Sequence, residues 1–311
     1  MASMEEIQKR FKITFEELGK VIVGQEEVLK QVLITVLCDG NALIESVPGL
    51  AKTLAIKTTA DIMDMKFSRI QSTPDLLPSD ITGTYIIEEE KGQKRFKFQE
   101  GPVFANIVLV DEINRATPKT QSALLEAMQE RQVTLGTTTY KLPEPFFILA
   151  TQNPIEQEGT YPLPEAQSDR FLLKILMDYP SFQEELEVTN RYAEELKIPT
   201  LKKVFNKESI MYLQQVTRQM PIARDIKAYA VKIVTDTRTK KNLIEYGASP
   251  RASIGLIMAA KAMALIEGRK YVSKKDIDTM AFPVLRHRII LNFEAQRNNL
   301  TTDDVIKQLL K

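Results

Sequence analysis

The sequence has few of the residues that build disulfides, zinc sites or nucleophilic catalytic centres. Its 311 residues contain one cysteine, Cys38, and one histidine, His287. A single cysteine cannot form an internal disulfide, and the two residues together are too few for a zinc site. His287 has no nucleophilic serine or cysteine motif to act with, so we expect it to have a packing or surface role.

An excess of one charge and long hydrophobic runs are also absent. The 42 lysines and arginines balance 41 aspartates and glutamates, which leaves a net charge of +1. This balance gives no indication of binding to nucleic acid or to an anionic membrane. The longest apolar runs, such as residues 107–110, are far shorter than the roughly 20 residues that span a bilayer. Because the first residues also lack a signal-peptide pattern, we expect a soluble, cytoplasmic protein.

Short apolar runs alternate with amphipathic stretches over the first 179 residues. The predicted strands are residues 41–44, 66–70, 107–110 and 146–151, and the predicted helices are residues 26–37, 53–63 and 119–129. This alternation predicts an α/β core over residues 1–179, with a parallel sheet flanked by helices. Strand patterns fade after Tyr179 and Pro180. The amphipathic stretches that follow predict a smaller all-α domain over residues 180–311, with helices in residues 181–197, 207–220 and 251–267.

Two segments depart from this alternation. Residues 85–98 contain three glutamates, then Lys91-Gly92, then three cations, which predicts a hairpin with opposite charges facing each other. A second hairpin is predicted from residues 132–135 and 139–142 around Gly136. Both segments are also compatible with simple solvated connections.

The first predicted strand leads into a turn that ends in Lys52 and Thr53, and then into a helix. A strand, a turn and a helix that begins with Lys-Thr form the arrangement that holds nucleotide phosphates. Lys52 is predicted to reach the β and γ phosphates, and the Thr53 hydroxyl to ligate Mg²⁺. The match to G-x-x-x-x-G-K-[ST] is imperfect, because Ser46 and Ala51 replace its two glycines. Alone, this motif is equally typical of an ordinary capped helix.

Polar residues follow two further predicted strands. Residues 107–110 end in Asp111 and Glu112, which are predicted to hold Mg²⁺ through water and to polarise the attacking water, respectively. Asn153 follows residues 146–151 and is predicted to orient that water. Two acids can simply end a buried strand, but their combination with Lys52 and Thr53 favours the catalytic interpretation. Asn153 precedes a proline, which by itself is a common turn signal.

Nine segments spread over most of the length of the chain carry longer motifs: residues 47–53, 74–83, 101–105, 111–116, 121–128, 150–154, 164–171, 247–252 and 283–288. In these segments the sequence resembles the MoxR family of AAA+ ATPases. The resemblance implies a P-loop AAA+ core followed by a helical lid. It also implies Mg²⁺-dependent hydrolysis of ATP by a homo-oligomeric ring, expected to be a hexamer.

The resemblance implies roles for individual residues. The nucleotide is expected to bind to Ile22, Val23, Gly24, Gln25, Val47, Pro48, Gly49, Leu50, Ala51, Lys52, Thr53, Leu54 and Asp111, the first four of which line the adenine pocket. The metal ligands are Thr53 and Asp111. The implied catalytic residues are Glu112, Asn153, Arg170 and Arg251. Arg170 matches the arginine finger that reaches the neighbouring subunit's nucleotide. Arg251 matches the sensor arginine of the lid, which acts on its own or on a neighbour's nucleotide.

Structural roles without any part in catalysis remain as alternatives to these assignments. Residues 22–25 are also compatible with a plain helix start, and Arg170 and Arg251 with surface ion pairs. The sequence departs from the family at Ser46, where the family has glycine, and at Ser168, where it usually has leucine. A Cβ at position 46 matters if the turn needs a positive φ. We therefore expect Ser46→Gly to tighten nucleotide binding or to leave it unchanged.

Three functions follow from the resemblance. The first is a chaperone-like ATPase that activates or assembles client complexes, with a separate partner that carries a von Willebrand factor A domain. The second is a nucleic-acid motor, which the lack of net basic charge disfavours. The third is a degenerate nucleotide-binding module that assembles without turnover. Retention of Glu112, Asn153 and Arg170 argues against the third.

Overall fold

The structure is a computed structural model that describes residues 3–90, 93–154, 159–194 and 199–311. Up to residue 177 its elements, numbered in chain order, are α1 (Met4–Gly19), α2 (Glu26–Leu37), β1 (Ala42–Ser46), α3 (Lys52–Ile62), β2 (Phe67–Gln71), α4 (Pro78–Thr82), β3 (Gly83–Glu90), β4 (Gln93–Glu100), β5 (Ile107–Asp111), α5 (Pro118–Glu130), β6 (Gln132–Leu135), β7 (Thr138–Lys141), β8 (Phe147–Gln152), α6 (Glu165–Ser168) and β9 (Leu173–Met177).

Five of these strands form one parallel sheet in the order β2-β5-β8-β1-β9. Every residue of β5 is buried, as expected for a strand covered by helices on both faces. Because the strands are parallel, the C-terminal ends of β1, β5 and β8 lie at one edge of the sheet. Ligands of open α/β sheets bind at this edge.

The predicted α/β core is confirmed, and α2 has the predicted bounds. The four predicted strands end one or two residues later than expected. Their last residues are polar but still pair in register with a neighbouring strand, as Ser46 does with Met177 and Gln71 with Asp111. The hydrogen-bonded ladder therefore continues past the point where the apolar pattern stops.

Both predicted hairpins are present. β3 and β4 pair antiparallel with Glu88 opposite Arg95, and the Lys97 ammonium lies 2.9 Å from the Glu88 carboxylate. The predicted turn at residues 91 and 92 lies outside the described residues. β6 and β7 form the second hairpin. The rings of Phe98 and Tyr140 stack with centroids 4.1 Å apart, so the two hairpins are in contact.

The chain after β9 consists mainly of helices, with α7 (Phe182–Thr189), a π-helical turn (Asn190–Glu194), α8 (Lys207–Gln219), α9 (Arg224–Thr239), β10 (Ile244–Tyr246), α10 (Pro250–Ile266), α11 (Lys274–Leu285), β11 (Ile290–Leu291), α12 (Phe293–Arg297) and α13 (Thr302–Leu309).

The lid departs from the prediction in one respect, because β10 and β11 pair antiparallel and it is not entirely helical. Segments of three and two residues are too short to show an alternating pattern in the sequence. The division at residues 179 and 180 remains a prediction. None of the helices in the described part of the chain has the length and apolarity needed to cross a lipid bilayer.

The N-terminal helix α1 is part of the main hydrophobic core. Phe11 is 2% exposed, and its ring centroid lies 5.5 Å from that of Phe205. The same cluster includes Leu149 of the sheet and Leu256 of the lid, so one core extends through both parts of the chain.

We predict that Phe11→Ala lowers the free energy of unfolding by about 3–5 kcal/mol, because it leaves a cavity in this core. Phe293, which is 79% exposed, provides the matched control, and Phe293→Ala should change stability by no more than about 0.5 kcal/mol. Urea denaturation followed by circular dichroism measures both. Equal losses in the two variants would show that α1 is not held by this packing.

Candidate functional site

The turn after β1 presents the N-terminus of α3. The helix begins at Lys52, and two residues before it have left-handed backbones, with φ of +86° at Gly49 and +54° at Ala51. The first N–H groups of a helix have no partner within the helix and carry a partial positive charge. This turn is therefore built to bind an anion such as a phosphate.

Lys52 has partners inside the turn. Its ammonium donates to the Ser46 hydroxyl at 2.7 Å and to the Val47 carbonyl at 3.2 Å. Ser46 is 3% exposed and is the last residue of β1. The serine that replaces the expected glycine therefore contacts the lysine that is predicted to bind phosphate.

Thr53 and Asp111 meet, as a shared metal site requires. The Thr53 hydroxyl donates to Asp111 Oδ2 at 3.4 Å, and the Thr151 hydroxyl donates to Oδ1 at 3.2 Å. Hydroxyl and carboxylate oxygens are the ligands that Mg²⁺ prefers, so these residues fit that ion. Arg69 of β2 also donates to Asp111 Oδ2, at 2.7 Å. Arg69 is a site residue that the sequence did not reveal.

Glu112 has a left-handed backbone, with φ of +56°. Such a conformation is uncommon for a residue with a side chain, and it occurs more often at functional sites. Its carboxylate accepts from the Gln71 amide at 3.2 Å and lies 3.1 Å from Arg115 Nε. Its N–H donates to the Thr151 hydroxyl at 2.9 Å. Asn153 is buried just after β8, the strand that pairs with both β1 and β5.

A cavity of about 300 Å³ adjoins the turn and contains most of the predicted adenine-binding residues. Its predicted lining residues are Ile22, Val23, Gln25, Gly49, Leu50, Ala51 and Leu54. The sequence did not predict Val188 and Tyr192, which close the cavity from α7 and the π-helical turn. The Tyr192 hydroxyl donates to the Val21 carbonyl at 2.5 Å.

Gly24 does not line this cavity, but its lack of a side chain allows α7 to lie close to the segment before α2. Its φ is +67°, and a Cβ there would lie 2.5 Å from the Glu184 carboxylate. The neighbouring Gln25 donates its side-chain amide to the Asp178 carbonyl at 2.8 Å. The segment that precedes α2 is therefore tied to the end of β9.

Arg170 and Arg251 lie in a second group, away from the turn. Arg170 is three residues before β9, whose first residue pairs with the first residue of β1. The turn follows the last residue of β1, at the opposite end of the strand. Arg251 Nη1 lies 3.5 Å from the carboxylate of Asp169, next to Arg170. The structure therefore brings the two arginines to one edge and the other predicted residues to the opposite edge.

The contact between the lid and the segment around Arg170 contains buried charged groups. The Arg288 side chain is 3% exposed, and its Nε donates to Asp169 Oδ1 at 2.9 Å. Burial lowers the pKa of Arg288 to about 10, and the charge of Asp169 opposes this shift. Burial and the positive charge of Arg288 hold the pKa of His287 well below its usual value. Neutral His287 donates from Nε2 to the Phe171 carbonyl at 3.0 Å, so its role is in packing, as expected.

Comparisons with known proteins agree with this geometry. Residues 41–173 match the ATPase family associated with various cellular activities (AAA), and residues 236–309 match the AAA lid domain. The chain is 44% identical to Chaperone MoxR1 of Mycobacterium tuberculosis over 303 residues, which cover 95% of this chain and 79% of that protein. The chain belongs to the MoxR family of AAA+ ATPases.

Two further comparisons extend over nearly the full length of this MoxR-family ATPase. It is 43% identical to the uncharacterized protein YeaC of Bacillus subtilis, with 100% of this chain and 96% of that protein covered. A crystal structure of a candidate ATPase from Cytophaga hutchinsonii superposes with a TM-score of 0.92 at 45% identity, covering 99% of this chain and 95% of that one.

Ser46 differs from the glycine of the MoxR family, and the structure shows what the serine does. The residue is not among those with a positive φ, so the backbone does not require glycine there. Its hydroxyl instead holds the Lys52 ammonium. Ser168, the other departure, contributes its carbonyl to the N–H of Phe171, a contact that any residue can make.

The Ser46 contact leads to a different prediction for this position. We predict that Ser46→Ala weakens ATP binding by up to about 30-fold, because ordering a lysine side chain that has lost this contact costs up to about 2 kcal/mol. Calorimetry with Mg²⁺ and ATP measures the effect. Alanine is the cleaner replacement, since glycine also frees the backbone. Unchanged or tighter binding by Ser46→Ala would show that the hydroxyl is dispensable and restore the earlier expectation.

Proposed function

We propose that this ATPase works as a closed ring, expected to be a hexamer, with each nucleotide bound between two subunits. The ring would use Mg²⁺-dependent hydrolysis to remodel or activate complexes of other proteins. The observation that carries this proposal is the separation of Arg170 and Arg251 from the phosphate-binding turn of their own subunit.

The distance across the sheet explains why a second subunit is needed. A five-residue strand is about 15 Å long. Arg170 precedes β9, whereas Met177 at the other end of β9 lines the adenine cavity. Both arginines can then serve a nucleotide only if it belongs to a neighbour that contacts their edge. Such contacts are heterologous, and they form a ring when the rotation between subunits closes.

Within one pocket, the residues have distinct roles in the proposed mechanism. Lys52 provides a positive charge for the β and γ phosphates. Glu112 polarises the attacking water, and Asn153 orients it. The neighbour's Arg170 and Arg251 neutralise charge that develops on the transferred phosphoryl group. Preorganised charges of this kind stabilise the transition state without reorganisation during the reaction.

Thr53 and Asp111 would hold Mg²⁺, the latter through water. The bound ion would neutralise charge on the β and γ phosphates. Arg69 now pairs with the Asp111 oxygen that faces Thr53, at 2.7 Å. Its side chain is 49% exposed, so burial does not fix it in this position.

The client role is supported by a relative's name and by an exposed apolar surface. MoxR1 of Mycobacterium tuberculosis is named a chaperone. On the β3–β4 hairpin, Ile87 and Phe96 are opposite each other and are 62% and 78% exposed. Exposed apolar side chains that lie together favour contact with another protein. We propose a cytoplasmic client, with a separate von Willebrand factor A domain protein as a partner.

We predict that Glu112→Gln binds ATP normally but hydrolyses it about 10²–10⁴-fold more slowly, because the amide keeps the shape of the site but cannot act as a base. Calorimetry and phosphate release measure the two properties. Glu208→Gln, which removes an exposed carboxylate at the start of α8, is the control and should keep normal turnover. Turnover near the wild-type rate in Glu112→Gln would remove Glu112 from the mechanism. Affinity capture with this variant and ATP would identify clients.

The ring is tested by mixing two inactive variants. We predict that Arg170→Ala binds ATP but loses about 10³–10⁵-fold in rate, as arginine fingers do elsewhere. Lys52→Ala should fail to bind ATP but still provide its finger. In random mixed rings about a quarter of the interfaces then pair an intact pocket with an intact finger. The rate of phosphate release by the mixture should therefore recover to about a quarter of the wild-type rate.

Arg297→Ala is the matched control for the loss of one exposed arginine, and it should be active alone. Co-assembly with ATP is first established by sizing. Mixed rings that remain as inactive as both parents would contradict the trans role of Arg170. Wild-type activity of Arg170→Ala alone would exclude any finger role.

A further inference from the structure

The buried guanidinium of Arg288 holds the backbone on both sides of Arg170. Arg288 lies just after α11, in the lid. Its Nη2 donates to the carbonyl oxygens of Asp169, at 3.2 Å, and of Phe171. Its Nη1 donates to the carbonyl of Leu172 at 3.0 Å. These three carbonyls belong to the residue before Arg170 and to the two residues after it.

All five N–H groups of this guanidinium have an acceptor. Nε donates to the Asp169 carboxylate at 2.9 Å, and the other N–H of Nη1 donates to the Val284 carbonyl within α11. An arginine offers five donors in one rigid plane. A single side chain of the lid therefore fixes the backbone on both sides of Arg170. The Asp169 carboxylate balances the charge of this side chain.

Asp169 connects the same segment to a second helix of the lid. Both of its carboxylate oxygens accept from the Ser249 hydroxyl, at 3.1 and 2.9 Å. Ser249 is the N-cap of α10, and Arg251 in the first turn of that helix lies 3.5 Å from the same carboxylate. The residue before Arg170 is thus bound to both α10 and the end of α11.

We propose that Arg288, together with Asp169, is a positioning residue for the arginine finger. It keeps Arg170 at a fixed place relative to the lid, so that Arg170 and Arg251 reach the neighbouring nucleotide as one rigid unit. This inference rests on the trans role of Arg170 proposed above. The Arg170 side chain is exposed and contacts Gln129, so its direction depends on how its backbone is held. An error of about 1 Å in position can lower a rate about 10²-fold.

The variant that tests this role is Arg288→Lys. It keeps a positive charge beside Asp169, which avoids leaving a buried carboxylate unpaired. Lysine donates from one nitrogen only, so it cannot reach all of the carbonyls that Arg288 holds. Purified full-length proteins are used, with ring assembly followed by sizing.

The test separates the subunit that provides a finger from the subunit that receives it. The reference is the mixture of Arg170→Ala with Lys52→Ala. Adding Arg288→Lys to the Lys52→Ala chain should lower the recovered activity about tenfold or more, because that chain provides the fingers. Adding it to the Arg170→Ala chain should leave recovery within about twofold, since that chain provides only pockets, at the opposite edge.

Arg286→Lys is the matched control in the finger-providing chain. Arg286 is in the same part of the lid and also contacts the core, but through the Lys174 carbonyl of β9 and an ion pair with Asp303. It does not hold the residues beside Arg170 in this way. We expect Arg286→Lys to leave recovery unchanged.

Equal losses of recovered activity with Arg288→Lys in the finger-providing chain and in the pocket-providing chain would overturn the proposal. A general weakening of the contact between lid and core produces that pattern. No loss on the finger-providing side would overturn it as well. If the reference mixture itself shows no recovery, the trans role of Arg170 fails, and this proposal fails with it.

If rings with Arg288→Lys do not assemble, Asp169→Asn replaces it in the same mixtures. This variant removes the charge that orients Arg288 and keeps the size of the side chain. It should show the same one-sided loss, and a two-sided or absent loss would again overturn the proposal.

Discussion

All strands of the central sheet run in the same direction, and this constraint decides at which edge of the sheet the residues at each strand end lie. The ends of β1, β5 and β8 bring Lys52, Asp111 and Asn153 to one edge. The beginning of β9 places Arg170 at the other. No side-chain movement can exchange the two edges, because each strand is hydrogen-bonded in register with its neighbours. Within one subunit, the turn that contains Lys52 and the arginine that precedes β9 therefore lie at opposite edges of the sheet.

The charges of the pocket have partners within the chain. Lys52 donates to Ser46, Asp111 pairs with Arg69, and Glu112 contacts Gln71 and Arg115. Charged groups that are partly buried need such partners, since removing them from water unpaired is unfavourable. In the function that we propose, an incoming triphosphate and its metal would share or replace these contacts. We therefore expect the affinity for ATP to depend on residues outside the recognised motifs.

The residues after β9 contact the core in two separate places. The residues after β9 close the predicted adenine cavity through Val188 and Tyr192. Further along, Arg288 and Ser249 bind the segment around Arg170. In the ring that we propose, a movement of the lid relative to the core would therefore alter the subunit's own pocket and its contact with a neighbour. Such double attachment would give a physical route for coupling sites around the ring.

The sequence by itself determined the α/β core, the turn that leads to Lys52 and Thr53, and the acids at the end of β5, because these depend on local patterns of apolar residues and on short motifs. It placed strand ends less accurately, since hydrogen-bonded pairing extends beyond the apolar pattern. It missed β10 and β11, which are too short to show an alternating pattern. Only the tertiary structure brought Arg69 to Asp111 and Arg288 to the backbone beside Arg170. These contacts join residues that are 42 and 119 positions apart in the sequence. No local sequence pattern encodes which distant strand or helix an arginine side chain will contact.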